Sequence, residues 1–134
     1  METNYCYIVK FWKNDAEGNQ TSNGHYIDGV YATLEKAQKY YRQGLFLNSR
    51  APYAHYQLAR IYLVKGNLDN AKKEIDAELK NYPKNKRSFY VRGLIDGYLQ
   101  NYGEAEDDFR KFIDYAPNEW PGYMDLSWVL INGK

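Results

Sequence analysis

Apolar residues in the middle of the chain recur three or four positions apart. Leu58 and Tyr62 are four positions apart, and Leu68 and Ile75 are seven apart, spacings that place each pair along one stripe of a helix. A polar, glycine-containing turn interrupts the stripe, and Pro83 closes it. Because proline disfavours helix in the residue before it, we predict a helix, a short turn and a second helix that ends before Pro83.

The pattern occurs twice. The stretch 58-LARIYLVKGNLDNAKKEIDAELKNYP-83 returns as 92-RGLIDGYLQNYGEAEDDFRKFIDYAP-117, at a shift of 34 residues. The positions in register are Leu34, Leu68 and Tyr102; Ala37, Ala71 and Ala105; Tyr41, Ile75 and Phe109; and Leu45, Leu79 and Ile113. A repeat of this length predicts stacked units that share one continuous core.

Small residues occupy the contact between the two helices of each unit. Ala59 and Gly93 lie in the first helix, and Ala71 and Ala105 lie near the start of the second. Their missing bulk lets antiparallel helices approach closely, while larger residues fill the flanks. One such hairpin cannot bury both of its faces, so we predict a solenoid of stacked helix pairs.

These features resemble those of the tetratricopeptide repeat family. The resemblance rests on the 34-residue period, the small–small helix contact, the apolar residue in the second helix and the closing proline. The segment 92-RGLIDGYLQNYGEAEDDF-109 is also similar to the consensus sequence of the family's repeat. The resemblance implies a mainly α fold, a solenoid of antiparallel helix pairs. Its units would be a helix over 33–50, repeats over 52–85 and 86–119, and a terminal helix over 120–134.

Four positions depart from the family's consensus sequence. Arg92 replaces a leucine and Asp96 a tyrosine, while Glu78 and Phe112 replace the small residue late in the second helix. Together they predict a looser second repeat, whose helix angles differ from those of the family.

The N-terminal segment does not fit a first helix. Aromatic and β-branched residues dominate 5-YCYIVKFWK-13 and 25-HYIDGVYA-32, and the segment between them is polar and rich in turn residues. We therefore predict a small β-hairpin extension over residues 1–32, with Thr33 as the N-cap of the helix that follows. Because an isolated hairpin is marginal in water, it must pack on the first helices or extend a sheet of another chain.

An alternative treats residues 18–50 as a degenerate full repeat. Gly24, Asp28 and Gly29 would then lie inside its first helix, where each glycine costs up to ~1 kcal/mol. For that reason we favour the hairpin.

Composition and charge exclude several classes of protein. The 134 residues include 18 Lys and Arg and 17 Asp and Glu, a net charge of +1, which argues against a nucleic-acid partner. The single cysteine cannot form an internal disulfide, and no stretch approaches the roughly 18 apolar residues of a membrane helix. Since the N-terminus lacks the apolar run of a signal peptide, we expect a cytoplasmic protein with no membrane partner.

No catalytic, cofactor or metal motif stands out from the rest of the sequence. The acidic run 104-EAEDD-108 spreads around a helix, which favours a solvated surface over a metal site. His55 falls in an aromatic column of the repeat, whereas His25 and Cys6 lie in the predicted strands. We therefore expect no enzymatic activity, no cofactor and no metal site.

The resemblance implies a concave groove, lined by the first helices, that holds a peptide or partner helix. Its aromatic residues and arginines are typical of binding hot spots, and arginine can grip a carboxylate with two hydrogen bonds, so we expect an acidic group or a C-terminal carboxylate on the ligand. The lysine–asparagine carboxylate clamp of the chaperone-binding members is absent, because Tyr56 and Arg60 hold its places. The candidate binding residues are Tyr53, Tyr56, Gln57, Arg60, Arg87, Tyr90 and Leu94, with Leu63, Val91, Met124 and Trp128 at further inward positions.

The terminal helix is unusually apolar. A solenoid normally closes with a helix that is polar on its outer face, but 120-WPGYMDLSWVLINGK-134 has few polar positions. One face can pack on the preceding hairpin, and the other would leave apolar residues in water, which marks an interface. Either the chain belongs to a longer array, or this end pairs with another copy through Trp128, Leu130 and Ile131.

Two functions follow from the sequence. The first, which we favour, is a non-catalytic protein-interaction module that binds a peptide or partner segment in the groove. The second is a structural or assembly role, in which the apolar end joins another copy into a homo-oligomer or forms part of a longer array. The groove tyrosines would then only pack between helices.

Overall fold

The computed structural model describes residues 24–133, which form six α-helices and no strand. In chain order the helices are α1 (Gly24–Leu47), α2 (Ala54–Val64), α3 (Leu68–Asn81), α4 (Lys86–Tyr98), α5 (Tyr102–Tyr115) and α6 (Trp120–Asn132). Each helix packs on the next, and the pairs α2–α3 and α4–α5 are the two predicted hairpins. The predicted mainly α solenoid is therefore confirmed.

The first helices of successive units lie side by side. α2 contacts α4, and α4 contacts α6, in addition to the contacts between neighbours along the chain. Across the part of the chain that the structure describes, the second helices α3 and α5 make no comparable contact with each other. Helices α2, α4 and α6 therefore form the inner side of the stack, and we call them the inner layer.

Turns and caps fix where each helix begins. Gly66 in the α2–α3 turn has a φ of 78°, a left-handed conformation that glycine adopts without steric cost. Asn67 then caps α3 by accepting a hydrogen bond from the backbone N–H of Asn70 at 3.3 Å. Asn85 caps α4 in the same way, through the N–H of Arg87 at 3.1 Å.

Small residues make the close helix contacts that the sequence predicts. Ala59, Ala71 and Ala105 are completely buried. A Cβ atom added at Gly93 would lie 2.8 Å from Cε1 of Phe109, which is closer than carbon atoms pack. α4 and α5 therefore meet at a point where only glycine fits.

The predicted N-terminal β-hairpin is wrong for residues 25–32, which belong to α1. The apolar residues there also recur at helical spacing, since Ile27, Val30 and Tyr31 are in phase with Leu34. Strand propensity depends strongly on context, and the continuing helical period outweighs it here. The other predicted strand, 5–13, lies outside the described residues.

The alternative repeat over 18–50 also differs from the structure. α1 runs from Gly24 to Leu47 without a turn, so Gly29 does lie in a helix, but no hairpin forms. Thr33 lies inside α1 and is not an N-cap.

The departures at Arg92 and Asp96 form two ion pairs, each between a buried carboxylate and a partly buried cation. Arg92 donates from Nε and NH2 to both carboxylate oxygens of Asp108, at 3.0 and 2.9 Å, and from NH1 to Asp76 at 3.2 Å. Nζ of Lys72 donates to Oδ1 of Asp96 at 2.6 Å. Charged contacts thus take the place of apolar ones between α3, α4 and α5.

The bulk of Phe112 is matched by a glycine in the next helix. A Cβ atom added at Gly122 would lie 2.8 Å from Cδ1 of Phe112. The large residue late in α5 is therefore accommodated because α6 has no side chain at the point of contact.

Candidate functional site

On α2, three side chains of the inner layer hold one another in place. Arg60 donates from NH1 to Oε1 of Gln57 at 3.2 Å, and its guanidinium lies 5.7 Å from the centre of the Tyr56 ring. Tyr53 meets the same ring edge-on, with centroids 5.9 Å apart. A cation is attracted to the face of an aromatic ring, so Gln57 and Tyr56 together orient the guanidinium of Arg60.

A hydrogen bond joins α4 to α6 across the inner layer. The hydroxyl of Tyr90 donates to Oδ2 of Asp125 at 2.5 Å, and both residues are half-buried. Burial raises the pKa of Asp125, and the hydrogen bond from Tyr90 opposes that rise because it favours the ionised carboxylate. A carboxylate therefore lies among the predicted groove residues.

Further along α4, Tyr98 packs on Trp128 of α6, with ring centroids 5.4 Å apart. Burial, followed by the charge of Asp125, raises the pKa of Tyr98 to about 12. Its hydroxyl therefore stays protonated at neutral pH and can donate a hydrogen bond. Trp128 also lies over Gly97, where an added Cβ atom would be 2.5 Å from Cζ3.

At the other end of the layer, Tyr53 and Arg87 line a cleft between the N-terminal ends of α2 and α4. Its volume is about 650 Å³. The lining residues are Pro52, Tyr53, Glu78, Asn81, Tyr82, Pro83, Lys84, Asn85, Lys86 and Arg87. Arg87 is exposed, and with Lys84 and Lys86 it gives the rim of the cleft a positive charge.

Glu78 of α3, another position that departs from the family's consensus sequence, caps α2. Its Oε1 accepts a hydrogen bond from the backbone N–H of Tyr56 at 3.0 Å. The N-cap residue of α2, Tyr53, makes no capping hydrogen bond and has a left-handed φ of 66°. Since the first N–H groups of a helix lack partners within it, and its N-terminus favours negative charge, Glu78 replaces the missing cap.

The structure exposes some predicted groove residues and buries others. Tyr56, Leu63 and Val91 are at most 7% exposed and share one core cluster, so they pack between helices. Trp128 is half-buried between α6 and α4. The predicted residues with surface left for a ligand are Tyr53, Gln57, Arg60, Arg87, Tyr90, Leu94 and Met124.

Large apolar side chains are exposed on α6. The exposed fractions are 71% for Trp120, 45% for Tyr123, 43% for Leu130 and 72% for Ile131. Trp128, predicted together with Leu130 and Ile131 as a self-association residue, contributes little to this surface because it packs on α4.

The acidic residues of the run on α5 have different partners. Asp108 is buried against Arg92, whereas Glu104 is exposed and lies 3.3 Å from Lys72. Within residues 24–133, no three His, Cys, Asp or Glu side chains are placed to hold a metal ion. None of the helices described combines the length and apolar character that crossing a bilayer requires.

The profile of the tetratricopeptide repeat family matches residues 52–85 and 86–119, about half of the chain. The chain belongs to the tetratricopeptide repeat family. Proteins of this family are generally non-catalytic interaction modules. The two matched repeats contain α2–α3 and α4–α5, which supply most of the inner layer.

Two curated proteins are similar to part of this chain. Cellulose synthase operon protein C of Pseudomonas fluorescens (strain SBW25) is 36% identical over 73 residues, which are 54% of this chain and 6% of that protein. Protein SLOW GREEN 1, chloroplastic, of Arabidopsis thaliana is 30% identical over 69 residues, 50% of this chain and 22% of that protein. The chain therefore spans less than a quarter of either relative.

Among solved structures, the chain is similar to the first TPR of Spaghetti (RPAP3), which is bound to the HSP90 peptide SRMEEVD. The TM-score is 0.70, over 78% of this chain and 81% of that one. Sequence identity is 18%, so the likeness shows the fold alone.

The sequence did not mark Asp125 and Tyr98 as residues of the inner layer. Asp125 is in register with Gln57 and Val91. Because Gln57 was a candidate binding residue, this register could have identified Asp125 as a residue of the same surface. Tyr98 is in register with Val64, which is completely buried, so the register offered no signal for Tyr98.

Proposed function

We propose that the inner layer binds a peptide or an extended partner segment, without catalysis. The observation that carries the proposal is that Tyr53, Arg60 and Tyr90 retain exposed area while neighbouring side chains hold them in place. Tyrosine and arginine are enriched among the residues that dominate binding energy, and fixing them in advance lowers the entropy lost on binding.

An acidic group of the ligand fits best at the α2–α4 end of the layer. Arg60 is already oriented by Gln57 and Tyr56, and its planar fork suits a carboxylate. Arg87 adds an exposed guanidinium beside the basic cleft. At the other end, the carboxylate of Asp125 favours a hydrogen-bond donor or a basic group, so the ligand would run from its acidic group at α2 to a donor at α6.

Membership of an interaction family supports this proposal, as does the bound peptide in the Spaghetti domain of similar fold. We do not expect this chain to bind that peptide, because Tyr56 and Arg60 occupy the places of the lysine–asparagine clamp. The near balance of 18 basic and 17 acidic residues supports a protein partner rather than a nucleic acid or membrane surface. The cytoplasmic setting stays part of the proposal.

Selection of peptides from a phage-displayed random library on the immobilised chain would test the proposal. Synthetic versions of the selected peptides are then titrated by fluorescence anisotropy. We expect Arg60→Glu with Arg87→Glu to weaken binding at least about tenfold, because a hydrogen bond to a charged group is worth about 1.5–3 kcal/mol.

Lys36→Glu with Lys73→Glu provides the matched control, since both lysines are exposed and lie on α1 and α3, outside the inner layer. Far-UV circular dichroism checks that each variant stays helical. Peptides that bind the arginine variant as tightly as the parent chain would exclude this surface as the binding site.

A second function, self-association, is favoured by the exposed apolar residues of α6. Leu130 and Ile131 are 43% and 72% exposed, and Trp128 supports them by holding α6 against α4. Light scattering over a concentration series should show an apparent mass that rises with concentration for the chain but not for Leu130→Lys with Ile131→Lys. A parent chain that keeps the monomer mass throughout would overturn this function.

A further inference from the structure

α6 leaves uncovered the face that a second helix covers on α2 and α4. Ser127 is exposed, although it is in register with Ala59 and Gly93, which are buried where each hairpin is closest. Tyr123 is 45% exposed, whereas its counterpart Phe89 is 7% exposed. α6 packs on α4 and α5, and no helix within residues 24–133 covers this face.

α1 leaves uncovered the opposite kind of face, that of a second helix. Tyr41 is in register with Ile75 and Phe109, which are completely buried, yet Tyr41 is only half-buried. Tyr40 is 69% exposed, whereas its counterpart Asp108 is 3% exposed. α1 packs on α2 as α3 packs on α4, but no helix within residues 24–133 covers the side of α1 that would meet a first helix of its own.

The polarity of the two uncovered faces matches. In the complete hairpin α4–α5, Arg92 of the first helix pairs with Asp108 of the second. Leu126 of α6 occupies the position of Arg92, and Tyr40 of α1 occupies the position of Asp108. The charged pair of α4–α5 is thus replaced by an apolar residue on each face, and burying these two residues against each other is favourable.

The shapes of the two faces match as well. In α4–α5, the missing side chain of Gly93 leaves room for the ring of Phe109. The same positions hold a small residue on α6, Ser127, and an aromatic one on α1, Tyr41.

We propose that α1 of one copy packs on α6 of a second copy, so that the two open faces complete one repeat. The proposal rests on the self-association described above and names its two surfaces. Because the contact joins different faces, it runs head to tail and leaves one α1 and one α6 free at the ends of each assembly, where further copies add until a ring closes.

Variants that block one face each provide the test. Tyr40→Lys places a charge on α1, and Ser127→Lys places bulk and charge at the small position of α6. Both residues are exposed, so the fold is expected to tolerate the changes. We expect each variant alone to have the monomer mass in light scattering at concentrations where the parent associates.

A mixture of the two variants gives the decisive measurement. The Tyr40→Lys copy keeps its α6 face and the Ser127→Lys copy keeps its α1 face, so an equimolar mixture should reach twice the monomer mass and no more. Phe46→Lys is the matched control, because Phe46 is 91% exposed and is in register with exposed Lys80 and Asp114. This control should associate as the parent does.

Two results would overturn the inference, and they can be told apart. If Ser127→Lys is monomeric while Tyr40→Lys associates like the parent, α6 meets another surface: self-association stands, and the contact with α1 is excluded. If the parent is monomeric at every concentration, both self-association and its assignment to α1 and α6 are excluded.

Discussion

The ammonium of Lys72 lies 2.6 Å from Oδ1 of Asp96, across the boundary between the two complete repeats. Asp96 is completely buried, and its Oδ2 accepts no hydrogen bond from the described residues. Burial raises the pKa of Asp96, and the hydrogen bond and charge of Lys72 oppose the rise. The stack therefore carries a charge into its core that Lys72 stabilises.

Removing Lys72 alone should be strongly destabilising. We expect Lys72→Met to lower the free energy of unfolding by about 3 kcal/mol, because it leaves a buried carboxylate without its cation. Adding Asp96→Leu should recover much of this loss, since an apolar pair can replace a buried ion pair. Urea denaturation at neutral pH measures both, with Lys73→Met as the exposed control, and equal losses in the single and double variants would contradict the explanation.

The carboxylate of Asp125 should make stability depend on pH in an unusual direction. The pKa of Asp125 in the folded state is raised above the ordinary value of about 3.9. In the pH interval between the unfolded and the folded pKa, the folded state therefore binds the proton more readily than the unfolded state. The contribution of Asp125 to the free energy of unfolding therefore falls as pH rises through the interval. Two groups of α4 act on Asp125: Tyr90 donates a hydrogen bond to it, and Tyr98, whose pKa is raised to about 12, stays protonated over this range.

Asp125→Asn removes this titration and keeps an acceptor for the hydroxyl of Tyr90. We expect the variant to melt at a higher temperature than the parent at pH 7, with the difference shrinking towards about pH 4. Calorimetric melting over this range measures the effect. A constant difference between the two proteins at every pH would show that the charge of Asp125 is not its cause.

Two glycines on the α4–α5 hairpin should respond to alanine in opposite directions. Gly93→Ala should lower the free energy of unfolding by about 1–3 kcal/mol, because its Cβ atom collides with the ring of Phe109. Gly103→Ala should raise it by about 0.5–1 kcal/mol, because nothing lies within 4 Å of the added atom and alanine favours helix over glycine. Chemical denaturation of both variants decides, and a loss at both sites would contradict the steric reason.

The stabilising effect of the hydrogen bond that Glu78 accepts from α2 can be separated from the effect of the charge of Glu78. Glu78→Leu should lower the free energy of unfolding by about 1–2 kcal/mol, because the N–H of Tyr56 loses its acceptor. Glu78→Gln keeps an acceptor oxygen and should lose less. Thermal melting of the two variants gives the measurement, and identical melting temperatures would show that packing, not the hydrogen bond, accounts for the loss.

The repeat, its hairpins and their closest contacts could be predicted because one periodic pattern encodes them all. Ala59, Ala71 and Gly93 are small in sequence and buried in the structure, as a close helix contact requires. The same period also predicts a helix through Ile27 and Val30, but strand propensity, judged one residue at a time, pointed the other way. Propensity is the weaker signal where the apolar period continues.

The binding surface was predicted less completely than the fold. The register places Tyr56 and Arg60 on the same helix face, yet it does not show that Tyr56 is buried while Arg60 keeps exposed area. Nor does it show that Tyr90 reaches Asp125 on another helix. Burial and contacts between helices depend on how neighbouring helices approach, which a single repeat unit does not determine.

The charges between neighbouring repeats also have a consequence for their order along the chain. Exchanging the two complete repeats would keep the alternation of first and second helices along the stack but would change which side chains meet. Arg92 would then face Arg42 of α1, the counterpart of Asp76 in register, and Asp96 would face Gln38 in place of Lys72. We infer that these duplicated units have ceased to be interchangeable, because like charges would meet where opposite ones do now, and that the chain could not be shuffled without a loss of stability.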